Sequence, residues 1–390
     1  MEGKRAVSRR GFVGGLATAV GYLTLRPPAD LLAHGIPGPL FQQGTDAYDA
    51  LAKLAFNENP YGPSESAMRA MTRAFKYANR YGYPDGDIAD EIARHHGVPR
   101  ENIMLGAGSG EILSVVGLAF LQGGRKVVGV EPTYSQVYSH ASGIKADVIR
   151  LPLLDDFRQD MPATIAAVKR HHRDVGFVYL CNPNNPTGRI IPAREIKQLL
   201  DAIPEDVVVL VDEAYHHYVQ DPTYATSVPH VLEGRNVIVA RTFSKIYGMA
   251  AMRLGYAVAP RELIQRMRPW STGSINALVR WGGVAALADT ESEARVRRTT
   301  IDLRERTVAD LKAMGYSTIP SETNFFMLHL RRPVQPVIQE FRTRGVAVGR
   351  PFPPLTEHLR VSVGTAEEMR RFMTAFREIM ATPATATRGG

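Results

Sequence analysis

A lysine traps carbonyl carbons only when its amine is neutral, and the sequence sets Lys245 where burial could arrange that. Ser244 precedes it and Arg253 follows, residue types that hold a phosphate by charge-assisted hydrogen bonds. All three fall in Arg241-Thr-Phe-Ser-Lys-Ile-Tyr-Gly-Met-Ala-Ala-Met-Arg253, which reads as a Schiff-base lysine beside a cofactor phosphate. A second stretch could share that phosphate. Gly106-Ala-Gly-Ser-Gly110 follows the apolar Ile103-Met-Leu105 and precedes a helical apolar pattern over residues 112–121. A glycine-rich loop opening a helix presents unpaired N–H groups and the positive end of the helix dipole, so Gly108, Ser109 and Gly110 are its candidate anion donors. Taken alone, a lysine at a strand end is most often solvated surface, and a glycine-rich turn most often holds nothing.

The elements that must position these groups change that balance. Four short apolar runs read as buried parallel strands: Lys126-Val-Val-Gly-Val130, Gly176-Phe-Val-Tyr-Leu180, Val207-Val-Val-Leu-Val211 and Val237-Ile-Val-Ala240. Each ends in polar or aromatic groups: Glu131-Pro-Thr-Tyr134, Asn182-Pro-Asn-Asn-Pro-Thr-Gly188, Asp212-Glu-Ala-Tyr215 and the Lys245 stretch. Open α/β sheets bind ligands beyond the carboxyl ends of their strands. Packing alone does not explain four polar clusters at four such ends.

With these motifs in order, residues 51–380 resemble the fold-type I pyridoxal phosphate aminotransferases, in their histidinol-phosphate aminotransferase-like branch. The likeness also draws on Asn57-Glu-Asn-Pro-Tyr-Gly-Pro-Ser64, Tyr83-Pro-Asp85 and Leu359-Arg-Val-Ser-Val-Gly-Thr365. It implies an α/β fold of the aspartate aminotransferase type, with a large domain built on a mostly parallel seven-stranded sheet flanked by helices and a smaller α+β domain. It implies pyridoxal 5'-phosphate as cofactor, with Lys245, Asp212 and Tyr215 as the catalytic set. A buried carboxylate at Asp212 would keep the cofactor's ring nitrogen protonated. Asn185 and Tyr215 would hydrogen-bond its phenolic oxygen, and Tyr134 would stack on the ring. Tyr83 would reach the partner's cofactor phosphate across a homodimer. Asn59, Tyr61, Asn324, Arg350 and Arg360 are the implied substrate-side residues, with Arg360 gripping an acidic group bidentately.

The implied reaction is ping-pong transamination between an amino donor, histidinol phosphate or a related amino acid, and a 2-oxoacid such as 2-oxoglutarate. Two alternatives stand on the same fold: a pyridoxal phosphate lyase or decarboxylase, and a non-catalytic cofactor-binding protein. Val348-Gly-Arg-Pro-Phe-Pro-Pro354 carries an extra glycine before its arginine, which could displace Arg350 from the cleft.

The 390 residues are 44% apolar and 22% charged, with a net charge of +8, enough for a large core. The basic residues are scattered rather than run together, so anionic small molecules fit the excess better than nucleic acid. Residues 1–35 differ from the rest. Ser8-Arg-Arg-Gly-Phe-Val13, then a weakly apolar stretch and Pro27-Pro28, outline a twin-arginine export signal, with Leu32-Ala33 a candidate cleavage site. Export to the periplasm is expected, with a cytoplasmic protein as the alternative, and the stretch is too short for a stable membrane span. The expected divisions are the leader 1–35, an arm 36–75 shared with the small domain, the large domain 76–285, the small domain 286–380 and a disordered tail 381–390.

Further readings concern single elements. A short amphipathic stretch is expected over 46–53, a helix over 66–77, a charged helical stretch over 149–173, and a long helical region from 271 running on through 291–312. The solitary Cys181 reads as a small buried hydrophobe. His95-His96, His171-His172 and His216-His217 are adjacent pairs without Cys or acidic partners at ligand spacing, so no metal site is expected.

Overall fold

The computed structural model describes residues 48–381. In chain order its strands are β1 (Ala52–Leu54), β2 (Ile103–Gly106), β3 (Lys126–Glu131), β4 (Val148–Pro152), β5 (Val175–Cys181), β6 (Val208–Asp212), β7 (Val237–Thr242), β8 (Gly255–Val258), β9 (Ser317–Ile319), β10 (Phe325–His329), β11 (Val346–Val348) and β12 (His358–Ser362). Seven form one sheet in the order β2-β8-β7-β6-β5-β3-β4. Neighbouring strands from β7 through β4 pair in parallel, and only β8 runs against both its neighbours.

Side-chain alternation divides the buried strand residues between two cores. Val178, Leu180, Val209, Val211 and Val239 pack with Ile196, Leu199 and Val168 from helices on one face. Phe177, Tyr179, Leu210, Ile238 and Ala240 pack with Ile112, Val116 and Val137 on the other. A strand covered on both faces needs apolar residues at every position, which is why the four runs read as continuous stretches.

The smaller sheets are β12-β10-β9, antiparallel, and β1-β11, parallel. They close over a core of Leu54, Phe326, Leu328, Phe341, Val361, Phe372 and Phe376. The 24-residue helix Thr290–Ala313 leads into this part of the chain.

Several sequence expectations are redrawn. Residues 149–152 belong to β4, an edge strand with half-exposed or exposed side chains, and the helix begins only at Met161. On an edge strand one flank meets water, so charged residues there mimic a helical surface pattern. The helix expected over 66–77 is α-helical over Glu65–Ala74, with Ser64 as its cap accepting from the Ala67 N–H, and tightens to a 3₁₀ turn over Phe75–Tyr77. The region from 271 enters a helix only at Ala277, leaves it at Ala288, and restarts at Thr290 with Asp289 capping the Ser292 N–H. In place of an amphipathic stretch, residues 48–50 form a turn and Ala52–Leu54 is β1. The leader 1–35 and all but the first residue of the tail lie outside the described residues; Ala381 is the last residue of a helix.

Candidate active site

Strand register assembles the site. Thr242 pairs with Gly255 across β7 and β8, and Gly106 pairs with the same Gly255 across β2 and β8. Residues 243–254 therefore leave and re-enter the sheet at one edge, closed by Phe243 N–H to the Leu254 carbonyl at 3.0 Å. This brings Ser244 and Arg253 together, and both beside the glycine loop that follows β2. Arg253 Nη1 donates to Ser244 Oγ at 3.3 Å, and its Nη2 to the Ala107 carbonyl at 3.4 Å. The helix Ser109–Phe120 starts at this point. Gly108 has φ +79°, and a Cβ there would stand 2.2 Å from Arg253 Nη2. Glycine is required by both the backbone and the arginine.

In the same way Cys181, Asp212 and Ala240 are aligned across β5, β6 and β7. Asp212 is buried, accepting from the Ala214 N–H at 3.2 Å and from the Tyr179 hydroxyl at 3.4 Å. Burial pushes its carboxyl up to about 6, against the pull of those donors and of Lys245. Lys245 is shifted the other way: burial, then the Arg360 guanidinium, lower its amine to about 8. Its Nζ donates to the Phe56 carbonyl at 3.3 Å and lies 5.5 Å from the centre of the Tyr215 ring. The shift enlarges the neutral fraction at neutral pH, which is what a nucleophilic lysine needs.

Tyr215 is buried against Phe325, and its hydroxyl accepts from Asn57 Nδ2 at 3.0 Å and Asn185 Nδ2 at 3.4 Å. Arg360, on β12, donates to Asn185 Oδ1 and to the Ala55 carbonyl, both at 2.7 Å, with the Phe352 ring 4.6 Å from its guanidinium. Its Nε has no partner among the described residues. Burial is the largest cause of its pKa falling to about 10.

These groups share one cleft of about 590 Å³. Ser109, Gly110, Tyr134, Asn185, Asp212, Tyr215, Ser244, Lys245, Arg253, Arg350 and Arg360 all line it. Tyr134 is partly exposed there, its hydroxyl donating to Gln136 Oε1 at 2.9 Å. Despite the inserted Gly349, Arg350 stays at the mouth, 4.3 Å from the Phe352 ring. The glycine allows a close pass, since its N–H meets the Arg360 carbonyl at 2.9 Å and a Cβ would stand 2.7 Å from that oxygen.

Other sequence-predicted residues lie elsewhere. Asn59 donates to the Ile246 carbonyl at 2.8 Å, and with Tyr61 it lines a neighbouring pocket of about 360 Å³ beside Tyr247, Asp289 and Glu293. Asn324 is buried behind the cleft wall, donating to the carbonyls of Asn57 and Glu58. Within one chain Tyr83 is not in the cleft; its hydroxyl donates to the Ile275 carbonyl at 3.0 Å. Asn57, Tyr179 and Phe352, which carry no distinguishing signal in the sequence, also touch site residues.

The donor set fits a phosphorylated pyridine aldehyde. The glycine loop, Ser244 and Arg253 would hold the phosphate, Asp212 a protonated ring nitrogen, Tyr215 and Asn185 a phenolic oxygen, and Lys245 the aldehyde carbon. Comparison with known proteins agrees. Residues 50–376 match the family described as aminotransferase class I and II. The chain is 35% identical to a histidinol-phosphate aminotransferase of Moorella thermoacetica over 84% of this chain and 85% of that one. It is also 35% identical to an aromatic amino acid aminotransferase of Thermobifida fusca, over 84% and 89%. Among solved structures, a histidinol-phosphate aminotransferase from Sinorhizobium meliloti in complex with pyridoxal-5'-phosphate superposes with a TM-score of 0.81 at 26% identity, covering 90% of this chain and 99% of that one.

Proposed function

The chain belongs to the class I and II aminotransferases, enzymes that work with pyridoxal 5'-phosphate, and from that premise we propose that its amino donor is histidinol phosphate and its acceptor a 2-oxoacid such as 2-oxoglutarate. The observation that carries this reading is the pair of arginines at two depths, Arg360 buried with its Nε unpartnered among the described residues and Arg350 exposed at the mouth. A phosphorylated donor and a dicarboxylate acceptor, bound in turn, both need cations there.

When bound, the cofactor supplies an electron sink for the carbanion that forms at the substrate's α-carbon. The chain supplies the rest. Arg360 and Arg350 hold the anionic groups and so fix which C–H bond faces Lys245. Lys245 Nζ, with its pKa lowered to about 8, would take the α-proton as general base and, as general acid, deliver it to the carbon that bore the cofactor's aldehyde. Asp212 holds a proton on the ring nitrogen, and Tyr215 with Asn185 steadies the phenolic oxygen.

A second donor class, aromatic amino acids, is favoured by Phe352 and Tyr134 in the cleft wall and by the Thermobifida relative. The test is the visible absorbance of the loaded enzyme while donors are added singly without any oxoacid. Histidinol phosphate should replace the visible band by one at shorter wavelength, and 2-oxoglutarate should restore it. A band that responds to phenylalanine or tyrosine and not to histidinol phosphate moves the assignment to the second class.

The enzyme also works as a homodimer on this reading. Tyr83 is half-buried and does not line its own cleft, which suits a residue that completes the partner's site. Mixing inactive Tyr83→Ala and Lys245→Ala subunits should then restore part of the activity; no recovery in stable mixed dimers counts against it. Export rests on Ser8 to Val13, outside the described residues, and Arg9→Lys with Arg10→Lys should hold the protein in the cytoplasm.

A further inference from the structure

Asn57 has all of its polar atoms engaged, and the pattern fixes the direction of a proton on a neighbouring residue. Its N–H donates to Ser362 Oγ at 2.8 Å. The single proton of that hydroxyl goes to Asn57 Oδ1, also at 2.8 Å. The carbonyl of Asn57 accepts from Asn324 Nδ2 at 3.0 Å. With Oδ1 bound to a donor, the amide must present Nδ2 on its other side, where it meets the Tyr215 hydroxyl at 3.0 Å.

Asn185 is oriented by the same logic. Its Oδ1 accepts from Arg360, a group that can only donate, so its Nδ2 is turned to the same hydroxyl at 3.4 Å. A phenolic oxygen has two acceptor positions and one proton. Both acceptor positions are taken by amide N–H groups, and that proton has no acceptor among the described residues.

We infer that Asn57 is a positioning residue that turns the Tyr215 O–H into the cleft as an obligatory donor, and that it ties this donor to Ser362 and Asn324 of the β12-β10-β9 sheet and its approach. The inference rests on the proposed contact between Tyr215 and the cofactor's phenolic oxygen. Asn57 is 1% exposed and holds φ +55°, a left-handed conformation that Asn tolerates better than most residues. The strain is held by contacts from the far end of the sequence, Ser362 on β12 and Asn324 just before β10, so the position of the β12-β10-β9 sheet is registered at Tyr215.

A donor to the phenolic oxygen stabilises its negative charge. Removing the donor raises the pH at which the bound cofactor's visible spectrum titrates. Asn57→Gly keeps the left-handed backbone and loses the amide. Asn57→Asp keeps the shape but puts an acceptor where a donor stood, drawing the Tyr215 proton away from the cleft.

The experiment is a spectrophotometric pH titration of the loaded enzyme without substrate, with far-UV circular dichroism to confirm folding. Asn57→Asp should raise the midpoint by about 1 pH unit, and the neutral Asn57→Gly in the same direction by less. Ser362→Ala, which touches neither Tyr215 nor the cofactor site, should raise it too, because the Asn57 amide is then free to turn over. Midpoints of both Asn57 variants at the wild-type value, with Tyr215→Phe shifted upward, overturn the role of Asn57 and leave the Tyr215 contact intact. A Tyr215→Phe midpoint at the wild-type value overturns that contact, and the inference with it.

Discussion

Gly108→Ala places a methyl group where no side chain fits, and which atoms must yield decides what is damaged. The new Cβ would lie 2.2 Å from Arg253 Nη2, 2.8 Å from its Cζ and 3.2 Å from Nη1. All three atoms belong to the end of a flexible, exposed side chain, so the guanidinium moves and the fold does not. The stability cost is then mainly that of an L-residue at φ +79°, ψ 165°, a region kept almost wholly to glycine, about 1–3 kcal/mol. The functional cost is larger. Arg253 loses its place beside Ser244 Oγ and the helix start at Ser109, and with it the charge-assisted bonds to a phosphate, worth about 1.5–3 kcal/mol. That corresponds to roughly 10- to 150-fold weaker binding of pyridoxal phosphate. The assay is absorbance titration of the cofactor-free variant with pyridoxal phosphate and, separately, with pyridoxal, which lacks the phosphate. Pyridoxal should bind as it does to wild type. In an Arg253→Met background the glycine substitution should add little, because the displaced group is already gone. Equal losses for both ligands, or an unchanged affinity for pyridoxal phosphate, would refute the phosphate cradle.

Three further outcomes follow from the same geometry. Asp212 has its carboxyl raised from 3.8 to about 6, so between those values the folded protein binds more protons than the unfolded chain, and cofactor-free stability falls as pH rises through that window. Asp212→Asn removes this cost: without cofactor it should be on the order of 2–3 kcal/mol more stable than wild type at pH 7 and no more stable at pH 3, by denaturant melts, while transaminase turnover collapses. The buried Arg241–Glu213 pair, 2.7 Å apart, is also held by Thr226 Oγ1, by the Ser227 N–H and by His216 against Arg241 Nη1. Glu213→Gln should cost about 3–5 kcal/mol by leaving that cation unpaired, with Glu213→Gln/Arg241→Met less destabilised than the single variant. Arg360→Lys retains a charge but not a fork that can hold Asn185 Oδ1, the Ala55 carbonyl and a substrate anion together; kcat/KM should fall at least roughly tenfold for donor and acceptor alike, with cofactor affinity little changed.

The sheet and the groups at its strand ends were legible because both rest on short-range patterns. Continuous apolar runs mark strands covered on two faces, and whatever follows such a run must emerge at the sheet's carboxyl edge, as Asp212, Asn185 and Lys245 do. Legibility stops where direction depends on one backbone angle. Asn57 and Asn59 share a turn and a residue type, and the left-handed φ at Asn57 sends its amide to Tyr215, while Asn59 turns to the Ile246 carbonyl. No local signal in Asn57-Glu-Asn-Pro separates them; the selecting contacts, Ser362 and Asn324, lie more than 260 residues away. Tyr179 was hidden for a different reason. Within an all-apolar strand it reads as core, which it is, while its hydroxyl at the rim of that core reaches Asp212. At β4 the pattern misleads in the other direction, because an edge strand meets water on one flank and carries the charges of a surface helix.

The fold makes charge costly on the buried titratable groups of this site, which disfavours the carboxylate at Asp212 and favours the neutral amine that Lys245 needs. Burial drives Asp212 up to about 6 and Lys245 down to about 8, opposite directions with one cause. Arg360 falls to about 10 for the same reason. A chain shaped for stability alone would pair these charges closely or replace them with apolar side chains. Here Asp212 accepts only from neutral donors, the Ala214 N–H and the Tyr179 hydroxyl, and Lys245 donates to a backbone carbonyl. Elsewhere the same fold pairs a buried ion pair fully, as Arg241 on β7 and Glu213, just past the end of β6 and next to Asp212, show. The contrast between two neighbouring buried charge sets, one satisfied and one left open toward a 590 Å³ cleft, marks the second as built for a guest that brings its own opposite charges: an anionic group for Arg360 and a protonated ring nitrogen for Asp212.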